Sequence, residues 1–147
     1  MNRWTQKNGI PIVTHPKYYP ANPSLAHRLL IAAIDDVGYD HEFIHDYVLR
    51  SQDTVWVREA NIEDPKVVAD NAKESGLDGD RLLQMVESQD VLEREQALTC
   101  EAVERQFFGA PTYVFQDEPF WGQDRIDMLD DVIQGGRRPM PYTGAQA

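Results

Sequence analysis

Apolar residues recur along most of this chain at helical spacing, in short runs broken by Gly, Pro and Asp. Leu25, Leu29, Ile31, Ala32 and Ala33 predict a strongly apolar helix. It opens at Asn22-Pro23, a cap residue followed by a first-turn proline, and closes at Gly38. A second helix is predicted from Asp40 to Arg50, with Phe43, Ile44, Tyr47 and Val48 facing inward. After Val55-Trp56-Val57, Asp64-Pro65 repeats the cap-and-proline signal and starts a helix that ends near Ser75-Gly76. Leu82, Leu83, Met85 and Val86 mark another, beginning between Asp78 and Asp80. A longer helix follows from Asp90 and extends to Phe107, on Leu92, Ala97, Leu98, Ala102, Val103 and Phe107. Upstream, Arg3 to Asn8 closed by Gly9 reads as the last turns of a helix. Ile10 to Val13 is a short extended run in which Pro11 argues against a central strand. His15 to Pro20 is a proline-punctuated loop.

The pattern changes after Phe107. Thr112 to Phe115 is β-branched and aromatic, as strands prefer, and Gln116-Asp117 suits a reversal. A second short strand then leads to Gly122, where the backbone enters a last helix. That helix carries Asp124 in its first turn and Ile126, Leu129, Val132 and Ile133 on its apolar face. Backbone donors, a helix N-terminus and a carboxylate therefore crowd together, an arrangement suited to a small zwitterionic ligand. No internal repeat, low-complexity tract or heptad pattern interrupts this organisation of a helical block followed by a hairpin and a helix.

Composition narrows the classes. A chain of 147 residues, 41% hydrophobic, can build one compact domain, or one small domain with part of another. A net charge of −11 argues against nucleic acid as a partner, because phosphate binding needs a basic footprint. The same charge does not help an anionic ligand; local groups must hold one. Cys100 is the single cysteine, so no intramolecular disulfide and no Cys-x-x-Cys exist, and its place on a helix predicts a buried, inert thiol. His41 and His45 stand one turn apart, but no third ligand accompanies them, and a solvated face is expected in place of a metal site. With no signal-peptide pattern and no long apolar run, a soluble, cytoplasmic chain is expected.

Phe108-Gly109-Ala110-Pro111-Thr112, followed by Phe120-Trp121-Gly122-Gln123-Asp124-Arg125, resembles a known family. The likeness is to the C-terminal part of the 2-hydroxychromene-2-carboxylate isomerases and their relatives, the kappa-class glutathione transferases, on the DsbA-like thioredoxin fold. Phe-Gly-x-Pro-Thr alone would also fit DsbA-like disulfide oxidoreductases. Phe-Trp-Gly-x-Asp-Arg at this distance favours the isomerase branch. Weaker agreement reaches back to Arg3. The implied fold class is α+β, mostly α: a helical insertion domain over 1–107, the C-terminal β-β-α half of a thioredoxin-like domain over 108–135, and a mobile tail over 136–147. The family's N-terminal β-α-β unit, with the serine that activates the thiol of glutathione, has no counterpart among these residues. No catalytic residue is therefore assigned, and whether the chain is an enzyme stays open. A truncated reading of a longer gene, a natural remnant, or a sheet closed by another subunit in a homodimer would each account for this; the first two are favoured.

The resemblance implies glutathione-dependent isomerisation of an aromatic 2-oxo acid, in aromatic catabolism and impaired in this form. The thiolate adds reversibly, the ring opens, and a bond rotates before the thiolate leaves. A non-catalytic glutathione-binding or remnant domain is the alternative, and a DsbA-type oxidoreductase is disfavoured by the lack of paired cysteines. Glutathione would be held by Ala110, Pro111, Trp121, Gly122, Gln123 and Asp124. A cis bond before Pro111 would turn the N–H and C=O of Ala110 outward, to pair with a peptide backbone; a simple loop-to-strand turn is the alternative. Amides at Gln123 and Asp124 would take the γ-glutamyl carboxylate and the Asp124 side chain its ammonium, with Arg125 holding Asp124 or a neighbouring acid; simple helix capping by Asp124 is the alternative, and Trp121 reads equally as core or ligand wall. Tyr18, Tyr19 and Trp56 would wall the aromatic substrate, with core packing as the competing reading. Lys17 could attract the substrate carboxylate.

Overall fold

Helix α2 (Ser24–Val37) is the element around which the first part of the chain packs. The computed structural model describes residues 2–141, with side chains from Thr5 onward. It falls into two units, one reaching to Ala97 and the other beginning at Leu98. The first holds α1 (Asn2–Asn8), α2, α3 (Glu42–Trp56), α4 (Pro65–Glu74), α5 (Gly79–Met85) and the start of α6 (Gln89–Glu104). Leu29, Ala32 and Ala33 of α2 are fully buried against Ile44 and Tyr47 of α3, Val68 and Ala72 of α4, and Leu82 of α5. The alanines let neighbouring helices approach closely, and the larger side chains fill the gaps between them.

The helix starts follow the predicted caps. Asp64 accepts from the Lys66 N–H at 2.9 Å and Asp78 from that of Arg81 at 3.1 Å. Asn22 Oδ1 accepts from the Ser24 N–H at 3.0 Å, although regular helix begins one residue later than the proline signal placed it. His41 is a cap too: its Nδ1 accepts from the Phe43 N–H at 3.3 Å and its ring packs on Phe43. His45 is exposed on the next turn.

Helix α3 runs on to Trp56, well past the predicted end at Arg50. The polar stretch that read as a stop is the solvent side of a continuing helix, since Gln52 and Asp53 are exposed while Thr54 is fully buried. Thr54 Oγ1 donates to the Arg50 carbonyl at 2.8 Å and accepts from Asn71 Nδ2 at 2.8 Å. Arg58 Nη2 reaches Asn71 Oδ1 at 2.6 Å. This buried polar knot ties α3 to α4, each member satisfying another. Arg28 similarly joins α2 to Glu95 of α6 and to Glu87 in the turn before it, both at 2.8 Å.

Cys100 is exposed, which corrects the expectation of a buried thiol. The apolar pattern of the predicted long helix overstated burial: Leu98 and Val103 are also exposed, and the helix ends at Glu104.

In the second unit, β1 (Thr112–Phe115) and β2 (Glu118–Trp121) form an antiparallel hairpin with Thr112 opposite Trp121 and Phe115 opposite Glu118. Gln116 and Asp117 both adopt positive φ, at 48° and 64°, so the two-residue turn is of the type whose twist matches the strands. A short 3-10 turn (Gln123–Arg125) then precedes α7 (Ile126–Ile133). Val132 of α7 is buried, as is Phe120. Ile126 and Ile133, predicted on the inward face, are 45% and 52% exposed, because a two-stranded sheet offers too little surface to cover them.

The tail predicted as mobile from residue 136 is fastened for its first residues. Glu118 is buried on β2, and both its oxygens accept from Arg137, at 2.6 and 2.9 Å. Its Oε2 also accepts from the Met140 N–H at 2.8 Å. Residues 142–147, the rest of that predicted tail, lie outside the described residues. The architecture is α+β and mostly α.

Candidate functional site

The second unit brings the predicted ligand residues of the hairpin together. Pro111 precedes β1 and its peptide bond with Ala110 is cis, as the resemblance implied. The Pro111 carbonyl accepts from the Gly122 N–H at 2.9 Å, continuing the ladder one step beyond the Thr112–Trp121 pair. That bond sets Ala110-Pro111 beside Gly122, the residue from which the 3-10 turn carrying Gln123 and Asp124 departs. Gly122 has φ 94° and ψ 152°, and the Asp124 carboxylate folds back over it so closely that a Cβ there would meet Oδ1 at 2.6 Å.

Asp124 lies inside the 3-10 turn, two residues past its Gly122 cap position. Arg125 lies 3.5 Å from its carboxylate, as predicted. Ala110, Gln123 and Asp124 are all exposed. The arrangement is one exposed backbone segment, one turn at a helix start and one carboxylate, all within a few residues of a single hydrogen bond.

Trp121 is half-exposed and packs against Phe108 with tilted rings, their centres 4.8 Å apart. With Phe107, Thr112, Pro119 and Arg105 they line a cavity of about 260 Å³. Gly109 makes room for the indole: a Cβ there would stand 3.0 Å from Cε2 of Trp121. Thr112 Oγ1 donates to the Gly109 carbonyl at 2.5 Å and fixes the approach to Ala110.

The proposed substrate residues lie in the first unit, where the structure joins two of the three. Tyr19 and Trp56 pack with ring centres 4.9 Å apart, and both line a cavity of about 310 Å³. Trp56 also accepts, through its carbonyl, from the Val13 N–H at 2.7 Å, which pins the loop to the end of α3. Tyr18 does not line this cavity; it is exposed, with Lys17 Nζ 4.8 Å from its ring centre. The Tyr19–Pro20 bond is cis, which no signal in the sequence had singled out. Tyr47 and Ser51 also line the cavity and were missed as site residues, Tyr47 because it sits in a helical apolar pattern that reads as core and Ser51 because it lies past the predicted helix end at Arg50. Burial pushes the Tyr47 phenol up in pKa, with the Ser51 hydroxyl beside it easing the shift, and Tyr47 donates to the Ala26 carbonyl at 3.1 Å.

Glu118 gives this unit a pH dependence. Its bonds from Arg137, against some desolvation, hold its carboxyl below the usual carboxylate range. A carboxyl depressed by folding stabilises the fold above its unfolded pKa, and that contribution is lost as pH falls through the lower folded value. The hairpin should therefore loosen in acid, below the ordinary range for glutamate. Glu118→Gln should remove this step and lower the melting temperature at neutral pH by several degrees. Thermal melts followed by near-UV circular dichroism between neutral and acid pH check both; coincident pH profiles for the two proteins would contradict the assignment.

A helical block, a hairpin led by a cis-proline and a closing helix define a thioredoxin-related protein of the DsbA type. The chain belongs to the DSBA-like thioredoxin domain family, whose model matches residues 1–134. It is similar to 2-hydroxychromene-2-carboxylate isomerases of Sphingobium xenophagum and Pseudomonas putida, each 26% identical over 133 residues, or 90% of this chain. Those matches cover 64% and 62% of the relatives, so the chain spans less than two thirds of their length. A solved 2-hydroxychromene-2-carboxylate isomerase superposes with a TM-score of 0.73 at 28% identity, over 91% of this chain and 62% of that one. Among the described residues, no helix is long and apolar enough to cross a membrane.

Proposed function

We propose that this chain is 2-hydroxychromene-2-carboxylate isomerase-like: its second unit holds glutathione and its first walls an aromatic substrate. The observation that carries this reading is the Gly122–Pro111 hydrogen bond, which keeps the exposed Ala110 backbone and Asp124 within reach of one small peptide. The Ala110 N–H and C=O, just beyond the hairpin ladder, pair with the peptide backbone of glutathione as a short added strand would. The amides of the Gln123–Arg125 turn take the γ-glutamyl carboxylate, and Asp124 takes its ammonium. Trp121 covers the ligand, and Tyr19 and Trp56 face the aromatic rings. The similarity to isomerases over nearly the whole chain supports the reaction class. Such chemistry belongs in the reducing cytoplasm, where glutathione stays a thiol.

No residue here is assigned to thiol activation, which in the resembling family falls to a serine of a β-α-β unit. Titration calorimetry with glutathione should give a saturable heat, weakened by about twofold to fivefold in Asp124→Asn, the loss of one exposed ion pair. Absence of heat from the unaltered chain would remove the ligand assignment. Turnover of a 2-hydroxychromene-2-carboxylate by this chain alone would show that it carries its own activating group.

A further inference from the structure

The cavity in the first unit is lined in part by two connections that are held in unlike ways. Residues 57–64, between α3 and α4, are fixed by their own backbone and by the core. The Ala60 N–H donates to the Thr54 carbonyl at 2.8 Å, the Glu63 N–H donates to Asn61 Oδ1 at 3.1 Å, and Ile62 of the cavity lining is buried. The loop that leads from Val13 to α2 has looser fastenings. Pro16 is buried near its start and Asn22 caps α2 at its end, but Lys17, Tyr18, Tyr19 and Pro20 between them are all exposed. Two backbone N–H groups of this stretch bond outside the loop, and both meet side chains. The Lys17 N–H donates to Glu59 Oε1 at 3.1 Å, and the Asn22 N–H donates to Glu63 Oε1 at 2.8 Å.

Tyr19 lies between these two points. Its ring packs on Trp56 in the cavity lining and is still 58% exposed. Burial alone therefore holds it weakly, and its place depends on the loop being fastened on either side. Its own N–H goes to the Pro16 carbonyl at 3.2 Å, inside the loop, and gives no grip on the helices. Both carboxylates come from the fixed connection, where Glu59 keeps φ at 50°, a left-handed conformation uncommon in a residue with a Cβ. An exposed hydrogen bond shifts a closing equilibrium by only about twofold to tenfold. Two such bonds keep a short segment closed most of the time and let it open without unfolding a helix.

We propose that residues 17–22 are a movable strap over the cavity, latched by the carboxylates of Glu59 and Glu63. Release of these two bonds lifts Tyr19 from Trp56 and opens the cavity. Glu59 and Glu63 are positioning residues: neither lines the cavity, and both act through the loop. The inference concerns access and holds whatever the cavity takes up.

The test needs no ligand. In a chain carrying Trp4→Phe and Trp121→Phe, Trp56 is the one tryptophan left. Adding Glu59→Ala and Glu63→Ala should raise acrylamide quenching of Trp56 fluorescence about twofold or more, and should speed amide hydrogen exchange at Lys17 and Asn22 about fivefold or more. Alanine also carries a Cβ, so the backbone at position 59 meets the same demand as before. Amides of Leu29 and Val68, in the buried helices, should exchange at their original rates. Glu59→Gln with Glu63→Gln keeps an acceptor at each place and should stay within about twofold of the parent in both measurements. Unchanged quenching in the alanine pair, equal acceleration at Leu29 and Val68, or a glutamine pair as open as the alanine pair would each overturn the proposal. A failed glutathione titration leaves the strap standing, and a failed strap leaves the ligand assignment of the hairpin intact.

Discussion

Gly79→Ala should destabilise the first unit by about 2–3 kcal/mol, although alanine is the better helix former. Gly79 is buried at the start of α5, where the backbone passes directly over α4. A Cβ at this position would run into the Ala69 carbonyl oxygen, with the carbonyl carbon at 3.0 Å and Lys73 Cγ at 3.1 Å. The lysine stem can swing away, but the Ala69 carbonyl belongs to the α4 backbone and cannot. Two opposed effects decide the sign. Helix propensity favours alanine by at most about 1 kcal/mol. Forcing an extra carbon into a packed contact costs about 1–3 kcal/mol and sometimes more. The clash wins, because α5 carries Leu82, fully buried in the same core, and must lift away with it. Urea unfolding followed by far-ultraviolet circular dichroism should show a lower midpoint with an unchanged slope. An unmoved midpoint would mean that α4 and α5 can separate freely.

Gly122→Ala is expected to have a comparable effect in the second unit, and to reach the ligand site as well. The backbone there lies at φ 94° and ψ 152°, a region open essentially to glycine alone, and holding another residue in it costs about 1–3 kcal/mol. Relaxing the strain would pull the Gly122 N–H from the Pro111 carbonyl, the bond that closes the ladder. The new Cβ would also press on Asp124 Oδ1 at 2.6 Å and turn the carboxylate away. Stability and glutathione affinity should fall together, with affinity reduced more than in Asp124→Asn, where the backbone is unaltered. Calorimetry and thermal melts on the same preparations check this. Full affinity in a folded Gly122→Ala protein would show that the turn plays no part in holding the ligand.

Much of this was legible in the chain itself, for identifiable reasons. Asp64-Pro65 and Asp78 state helix starts locally, through a carboxylate that reaches the N–H two or three residues on, and no distant contact is needed. The hairpin was equally legible, since Gln116-Asp117 between two short aromatic runs leaves few other backbone paths. What escaped was information held by partners far along the chain. The end of α3 depends on Thr54 meeting Asn71 of α4, seventeen residues away, and nothing near Arg50 announces it. Cys100, Leu98 and Val103 followed an apolar period without being buried, because periodicity reports which residues share a face and not whether anything covers it.

The clasp of Glu118 by Arg137 and Met140 sets a limit on how this protein can be shortened. Ending the chain at Gln134 looks harmless, since α7 is complete by then and two glycines follow. It would strand an ionised carboxylate in a buried place beside Phe120, with its two hydrogen-bonding partners cut away. Preparations meant to carry an intact hairpin should therefore keep the residues through Met140.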